Sequence, residues 1–174
     1  TKWLKRLEFS DKPWHSKEET SKYTMLQKSG KAIRYFWVNE VNSVITSPCP
    51  EKPWTDLKKG EMVEIEGLAW SGHGTIKGVD ISFDGGDNWV EAKLKGLVLP
   101  KSWTRFSYII KWDGKPMILA SRSYDDFGNI QPTIDEETSA VGVESVYHRN
   151  AIVTWEITSK GECNNVQIRK HKKA

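Results

Sequence analysis

The clearest pattern in the chain is an alternation of apolar and polar side chains in its first half. Val63 and Ile65 alternate with glutamates, and after a glycine-containing turn the alternation resumes over residues 79–83. A period of two places neighbouring side chains on opposite faces, which predicts strands with one buried face. The sequence DGGD at 84–87 predicts a tight turn, and Trp89 begins a return strand. Two adjacent hairpins of this kind predict the middle of an antiparallel sandwich.

The same alternation predicts the other strands. The longest covers 104–112, with Phe106 and Tyr108 on one face and Arg105 and Ile109 on the other. The remaining predicted strands cover 3–9, 34–38, 43–46, 90–94, 117–124 and 151–158, with a short strand at 167–169. About seven to nine strands at this spacing are typical of an immunoglobulin-like sandwich. The predicted fold class is therefore all-β, an immunoglobulin-like antiparallel β-sandwich with an irregular N-terminal arm.

The arm is predicted to cover residues 1–33, and the sandwich domain residues 34–174. In the arm, Ser16 and Glu19 have the spacing of a helix-capping box, which predicts about one helical turn after Ser16. Near the other end, residues 133–146 contain a glycine and many small and acidic side chains, and we predict a loop there.

Composition excludes some classes of protein and leaves others open. The net charge of +3 argues against a nucleic-acid partner, and no apolar run is long enough for a membrane span. The basic run at 169–173 is interpreted as a solvated tail. Nine tryptophans favour a core and interface role over a stacking platform for sugars or single strands, because they are spread over many elements.

No catalytic or metal-binding constellation is found in the sequence. The four histidines lack ligand spacing, and Cys49 and Cys163 do not have the spacing of zinc ligands. The two cysteines are compatible with a disulfide in an oxidising compartment and equally with two free thiols. The aspartates near Asp84 and Asp125 lie in turns, where they are expected to bond to the nearby backbone. We predict neither catalytic residues nor metal ligands.

Three segments point to a known family. GLAWSG at 67–72, VDISFDGG at 79–86 and SYDDFGNIQP at 123–132 closely resemble the C-terminal dimerisation domain of the sulfite oxidase family of molybdenum enzymes. The resemblance covers nearly the whole chain, and KWL at 2–4 is similar to the family's exit from the molybdenum domain. Within the family, the chain looks most like the bacterial sulfane and sulfite dehydrogenases.

The resemblance implies a function. The chain would be the dimerisation domain of an oxidoreductase that oxidises sulfite or sulfane sulfur, passes electrons to a c-type cytochrome and works in the periplasm. It would form a homodimer and contact the enzyme's molybdenum domain. That preceding domain would bind molybdenum-molybdopterin, so this chain is expected to bind no cofactor and to be inactive alone. The alternative is a non-catalytic immunoglobulin-like module that binds protein or carbohydrate.

One substrate-binding residue is implied by the resemblance. In sulfite oxidases, the segment before the last strand supplies an arginine to the pocket for the anionic substrate. Arg149 is the only arginine in that segment here, and its guanidinium could hold two oxygens of a sulfur oxyanion. His148 is the alternative occupant of that place. The simpler interpretation is an exposed arginine at a strand end.

Overall fold

A computed structural model describes residues 2–12, 14–27, 29–143 and 147–168. They divide into two compact units. The smaller unit is Thr1–Trp37 with Val141–Arg149, and the larger is Val38–Ala140 with Asn150–Ala174. The division into an arm over 1–33 and a sandwich domain over 34–174 stays a prediction, because compactness alone does not show which part folds independently.

The smaller unit contains one short helix and a two-stranded antiparallel sheet. Helix α1 (Lys17–Lys22) begins after Ser16, whose side chain accepts from the Glu19 amide, so the predicted capping box is confirmed. Strands β1 (Thr24–Leu26) and β2 (Ala32–Tyr35) pair with each other. The strand predicted at 3–9 is wrong, because residues 2–12 form neither helix nor strand and pair with no neighbouring strand.

The larger unit is a sandwich of two antiparallel sheets, which confirms the all-β sandwich prediction. One sheet has four strands in the order β3-β4-β8-β7, and the other has five in the order β11-β10-β9-β5-β6. In chain order these strands are β3 (Asn42–Ser47), β4 (Met62–Trp70), β5 (Ile76–Ser82), β6 (Val90–Glu91), β7 (Lys93–Lys95), β8 (Thr104–Lys111), β9 (Met117–Asp125), β10 (Thr154–Ile157) and β11 (Cys163–Val166).

The core lies between the two sheets and follows the predicted alternation. Ile65 and Phe106 face inward from the four-stranded sheet, and Ile81, Leu119 and Ile157 face them from the five-stranded sheet. All five are almost completely buried. Burial of an aliphatic side chain contributes on the order of 1.5–3 kcal/mol, so this layer supplies much of the force that holds the sheets together.

One of the two predicted hairpins is wrong. Strands β4 and β5 lie in different sheets, so the glycine-containing turn at 71–75 crosses the sandwich instead of closing a hairpin. The second hairpin is confirmed, since β5 pairs with β6 after the turn at 84–87. The strand predicted at 90–94 is also divided: β6 and β7 lie in opposite sheets, and Ala92 between them is buried. A period of two is identical for strands of either sheet and therefore could not assign them.

The predicted loop at 133–146 is wrong in its first half, where helix α2 (Ile134–Val141) forms. Thr133 accepts from the Glu136 amide at 3.2 Å, and Glu136 accepts from the Thr133 amide at 2.9 Å, which is a second capping box. The strand predicted at 167–169 is replaced by β11, which ends at Val166, and Arg169 lies outside the described residues.

Candidate functional site

Arg149 and His148 lie in the segment between α2 and β10. The Arg149 Nη1 donates to the Gly142 carbonyl at 3.1 Å. His148 has a positive φ of 58°, and its ring centroid lies 4.6 Å from that of Phe36 and 5.6 Å from that of Tyr23. Both residues therefore belong to the smaller unit and have defined neighbours there. Their assignment to a substrate pocket stays a prediction.

The two cysteines are free thiols in the described structure. Cys163 is 6% exposed, and burial, with smaller contributions from Cys49 and Glu51, raises the pKa of its thiol to about 11. A thiol with that pKa stays protonated at neutral pH. Among the described residues, no three His, Cys, Asp or Glu side chains are grouped to hold a metal ion. The described donors therefore do not fit a molybdenum site.

The turn aspartates and His73 make local structural contacts. Asp84 accepts from Ser82 Oγ at 2.7 Å and from the Asn88 amide at 3.0 Å, and these bonds lower its pKa, the Asn88 amide most strongly. His73 Nε2 lies 2.9 Å from the Glu40 carboxylate. These contacts agree with the expected structural role of the turn aspartates.

Three of the nine tryptophans serve the sandwich core, whereas Trp3, Trp14, Trp37 and Trp103 are more than half exposed. Trp54 and Trp112 are buried together, with ring centroids 6.0 Å apart. Trp155 donates from its indole nitrogen to the Ile45 carbonyl at 3.0 Å, which joins the two sheets. Such positions match the core role predicted for these tryptophans, because an indole buries a large area and needs one acceptor.

Sequence reasoning missed a groove on the outer face of the five-stranded sheet. Ser121 bonds to Ser43 of the opposite sheet, so its neighbour Arg122 in β9 faces outward. The groove encloses about 500 Å³ and is lined among others by Gly85, Gly86, Trp89, Arg122, Ile130 and Ile168. These residues are distant in sequence and meet only through the strand order, so no local pattern could reveal the groove.

A positive side chain is fixed at one side of the groove. The Arg122 Nη2 donates to Asp80 Oδ2 at 2.8 Å across the β9–β5 pair, and its guanidinium carbon lies 4.4 Å from the centre of the Trp89 ring. The ion pair and the ring contact together hold the guanidinium in one position. Arginine and tryptophan are the residue types most enriched at the energetic centres of protein interfaces.

The outer face of the four-stranded sheet is different. Lys95 of β7 pairs with Glu64 at 2.5 Å and with Glu66 at 3.3 Å, and its hydrogen bond to Glu64 is the main reason that the pKa of Lys95 is raised. Ile109 of β8, 58% exposed, is surrounded by these charged rows. The described residues include no helix that is long and apolar enough to cross a membrane.

Comparison with known proteins identifies the family. The protein-family model described as the Mo-co oxidoreductase dimerisation domain matches residues 34–155. The crystal structure of the sulfane dehydrogenase SoxCD from Paracoccus pantotrophus matches with a TM-score of 0.86 at 47% identity, over 91% of this chain and 40% of that chain.

Two curated relatives are more distant. Mitochondrial sulfite oxidase of Rattus norvegicus is 34% identical over 99 residues, which are 53% of this chain and 17% of the relative. Nitrate reductase [NADH] 2 of Arabidopsis thaliana is 27% identical over 154 residues, 75% of this chain and 17% of the relative. The chain thus spans a minor part of each of these proteins.

These matches confirm the resemblance found in the sequence. They do not favour the alternative of a protein- or carbohydrate-binding module, since the relatives are oxidoreductases by name. The family depends on a molybdenum cofactor that is bound in a separate domain. The chain belongs to the Mo-co oxidoreductase dimerisation domain family.

Proposed function

We propose that this chain is the self-association domain of a molybdenum-dependent oxidoreductase that acts on sulfur compounds. The observation that carries the proposal is the match to the sulfane dehydrogenase SoxCD structure, at 47% identity over 91% of this chain. The role in self-association is supported by the family model described as a dimerisation domain, which matches residues 34–155.

The sulfur compound in this proposal is sulfite or sulfane sulfur, and a c-type cytochrome accepts the electrons in the periplasm. A separate domain of the same enzyme binds the molybdenum cofactor and carries out the oxidation. The present chain binds a second copy of itself, and it also contacts the molybdenum domain.

Arg149 contributes to the oxyanion pocket in this proposal. Its Nη1 donates to the Gly142 carbonyl at 3.1 Å, which holds the guanidinium in the segment before β10. A guanidinium presents N–H donors in a planar fork, a geometry that matches two oxygens of a sulfur oxyanion. His148, beside it in the chain, is the competing candidate for the same place.

The test uses the complete molybdenum-bearing enzyme that contains this chain. Reduction of cytochrome c is measured with sulfite and with a sulfane-sulfur substrate, for the wild type and for Arg149→Ala, Arg149→Lys and His148→Ala. Loss of a charged hydrogen bond costs about 1.5–3 kcal/mol, so Arg149→Ala is expected to raise KM about 10- to 100-fold. Arg149→Lys keeps the positive charge but lacks the planar fork, so its KM should lie between those of the wild type and Arg149→Ala.

An unchanged KM in Arg149→Ala would remove Arg149 from the pocket. A raised KM in His148→Ala alone would assign the place to His148. If neither substrate reduces cytochrome c, although the enzyme contains molybdenum, the proposed reaction is wrong.

A further inference from the structure

The two cysteines lie at the same edge of the sandwich. Cys163 begins β11, the outermost strand at one end of the five-stranded sheet. Cys49 follows shortly after β3, the outermost strand at one end of the four-stranded sheet. Strand β3 packs against β9, whereas β7 at the other end of its sheet packs against β5. The end of the four-stranded sheet that β3 forms therefore lies on the side of the sandwich where β11 is found.

Two hydrogen bonds show that β3 and β10 run in the same direction across the core. The Asn150 side chain donates to the Val41 carbonyl at 3.0 Å. Further along both segments, the Trp155 indole donates to the Ile45 carbonyl, also at 3.0 Å. The chain that follows Ile45 therefore continues toward the end of β10, which is where β11 begins.

A third contact joins the loop after β3 to the segment that leads into β11. Cys49 and Lys52 close a tight turn by exchanging backbone hydrogen bonds. Two residues after this turn, the Trp54 amide donates to the Gly161 carbonyl at 2.7 Å. A Cβ on Gly161 would lie only 2.3 Å from the Trp54 carbonyl oxygen, so the two backbones are in direct contact. Cys163 comes two residues after Gly161.

The two thiols are close but have different surroundings. Cys163 is buried against the core, whereas Cys49 is partly exposed. Burial is the main cause of the raised pKa of the Cys163 thiol, and Cys49 adds to the increase. An electrostatic effect between two groups falls with their separation, so this contribution agrees with the approach of the two segments. The structure describes the reduced pair, with both thiols free.

We propose that Cys49 and Cys163 are a disulfide-forming pair, and that their bond closes this edge of the sandwich when the chain meets a disulfide oxidant. The oxidant is a small-molecule disulfide or the disulfide of a thiol oxidoreductase. The Cys49 thiolate attacks one sulfur of the oxidant, so that a mixed disulfide forms and one thiol leaves. Cys163 then loses its proton and attacks the Cys49 sulfur, and the second thiol of the oxidant leaves.

Atoms and electrons balance in this exchange. The two cysteines lose two electrons and two protons, and the disulfide of the oxidant becomes two thiols. The bond would link β11 of one sheet to the loop after β3 of the other, across roughly 100 residues of chain, a length at which a cross-link strongly restricts the unfolded state. The pair does not depend on which compound the enzyme oxidises.

The test uses the complete enzyme that contains this chain, incubated with oxidised glutathione and, in parallel, with a reducing agent. Remaining thiols are alkylated under denaturing conditions, and mass spectrometry of unreduced peptides identifies the partner of each cysteine. Cys49→Ser and Cys163→Ser are the matched controls. Cys49→Ser removes only the partly exposed thiol, so it leaves the core unchanged.

We expect the oxidised wild type to yield one linked peptide pair that joins Cys49 to Cys163, with neither cysteine alkylated. The reduced sample should show both alkylated, and the linked pair should be absent from both serine variants. Three results would overturn the proposal: both cysteines alkylated after oxidation, glutathione bound to Cys49 while Cys163 is alkylated, or Cys49 joined to Cys49 of another chain.

Discussion

At the scale of single residues, the carboxylate of Asp125 joins two loops at one end of the sandwich. It accepts from Ser71 Oγ at 2.7 Å, from the Phe127 amide at 3.0 Å and from the Asn129 amide at 2.9 Å. Burial works to raise its pKa, but the bonds from Asn129 and Ser71 outweigh burial and hold the pKa below its ordinary value. The folded state is therefore more stable when this carboxyl is ionised.

The sign of the pH dependence follows from that shift. The folded pKa of Asp125 lies below the unfolded value of about 3.9, so its stabilisation is complete above that pH. The stabilisation is lost as the pH falls through the folded pKa. Asp125→Asn should lower the free energy of unfolding by about 1–3 kcal/mol at pH 7, because an amide cannot accept all these bonds.

Urea denaturation at pH 7 and at lower pH measures this effect. The difference between wild type and Asp125→Asn should shrink as the pH falls from about 4 through the lower pKa of the folded wild type, where its carboxylate becomes protonated. Asp56→Asn, at an exposed position, is the control and should change little. Equal free energies of unfolding for Asp125→Asn and wild type at pH 7 would contradict this role. A difference between them that grows as the pH falls would contradict it as well.

At the scale of elements, whether a strand or helix could be predicted depended on the kind of pattern that its sequence shows. Strands β4 and β8 were predictable because one face of each is more buried than the other, which imposes a period of two. Helix α1 was predictable from its capping box. Helix α2 was missed although Thr133 and Glu136 have the same spacing, because its small and acidic residues were interpreted as a loop.

Helix α2 is held to the sandwich by a buried glutamate. Glu137 Oε1 accepts from the Asn150 amide at 2.7 Å and from the Ala151 amide at 3.2 Å. Asn150 in turn donates from its side chain to the Val41 carbonyl at 3.0 Å. These long-range bonds, which no local pattern in the sequence encodes, position the helix beside the groove.

The capping box of α2 gives a prediction at this scale. Thr133→Ala removes the hydroxyl that accepts from the Glu136 amide and should lower the free energy of unfolding by about 1 kcal/mol. Thr133→Ser keeps the hydroxyl and serves as the control. Chemical denaturation of both variants measures the effect, and equal stability of the alanine and serine variants would show that the cap does not stabilise the fold.

At the scale of the whole molecule, the sequence could predict neither which sheet each strand joins nor the presence of the groove. The alternation shows that a strand has a buried face, but both sheets bury a face against the same core. The groove brings the turn before β6, strand β9 and the start of α2 together through the order of the strands. The family, by contrast, was predictable because its motifs lie in continuous segments.

The central claim is that this chain associates with a second copy of itself. Sedimentation equilibrium of the purified 174-residue chain, over a series of protein concentrations, tests it most directly. The account predicts a mass of twice the monomer value of 19.9 kDa at micromolar concentration, with dissociation on dilution. A mass of 19.9 kDa at every concentration would contradict it.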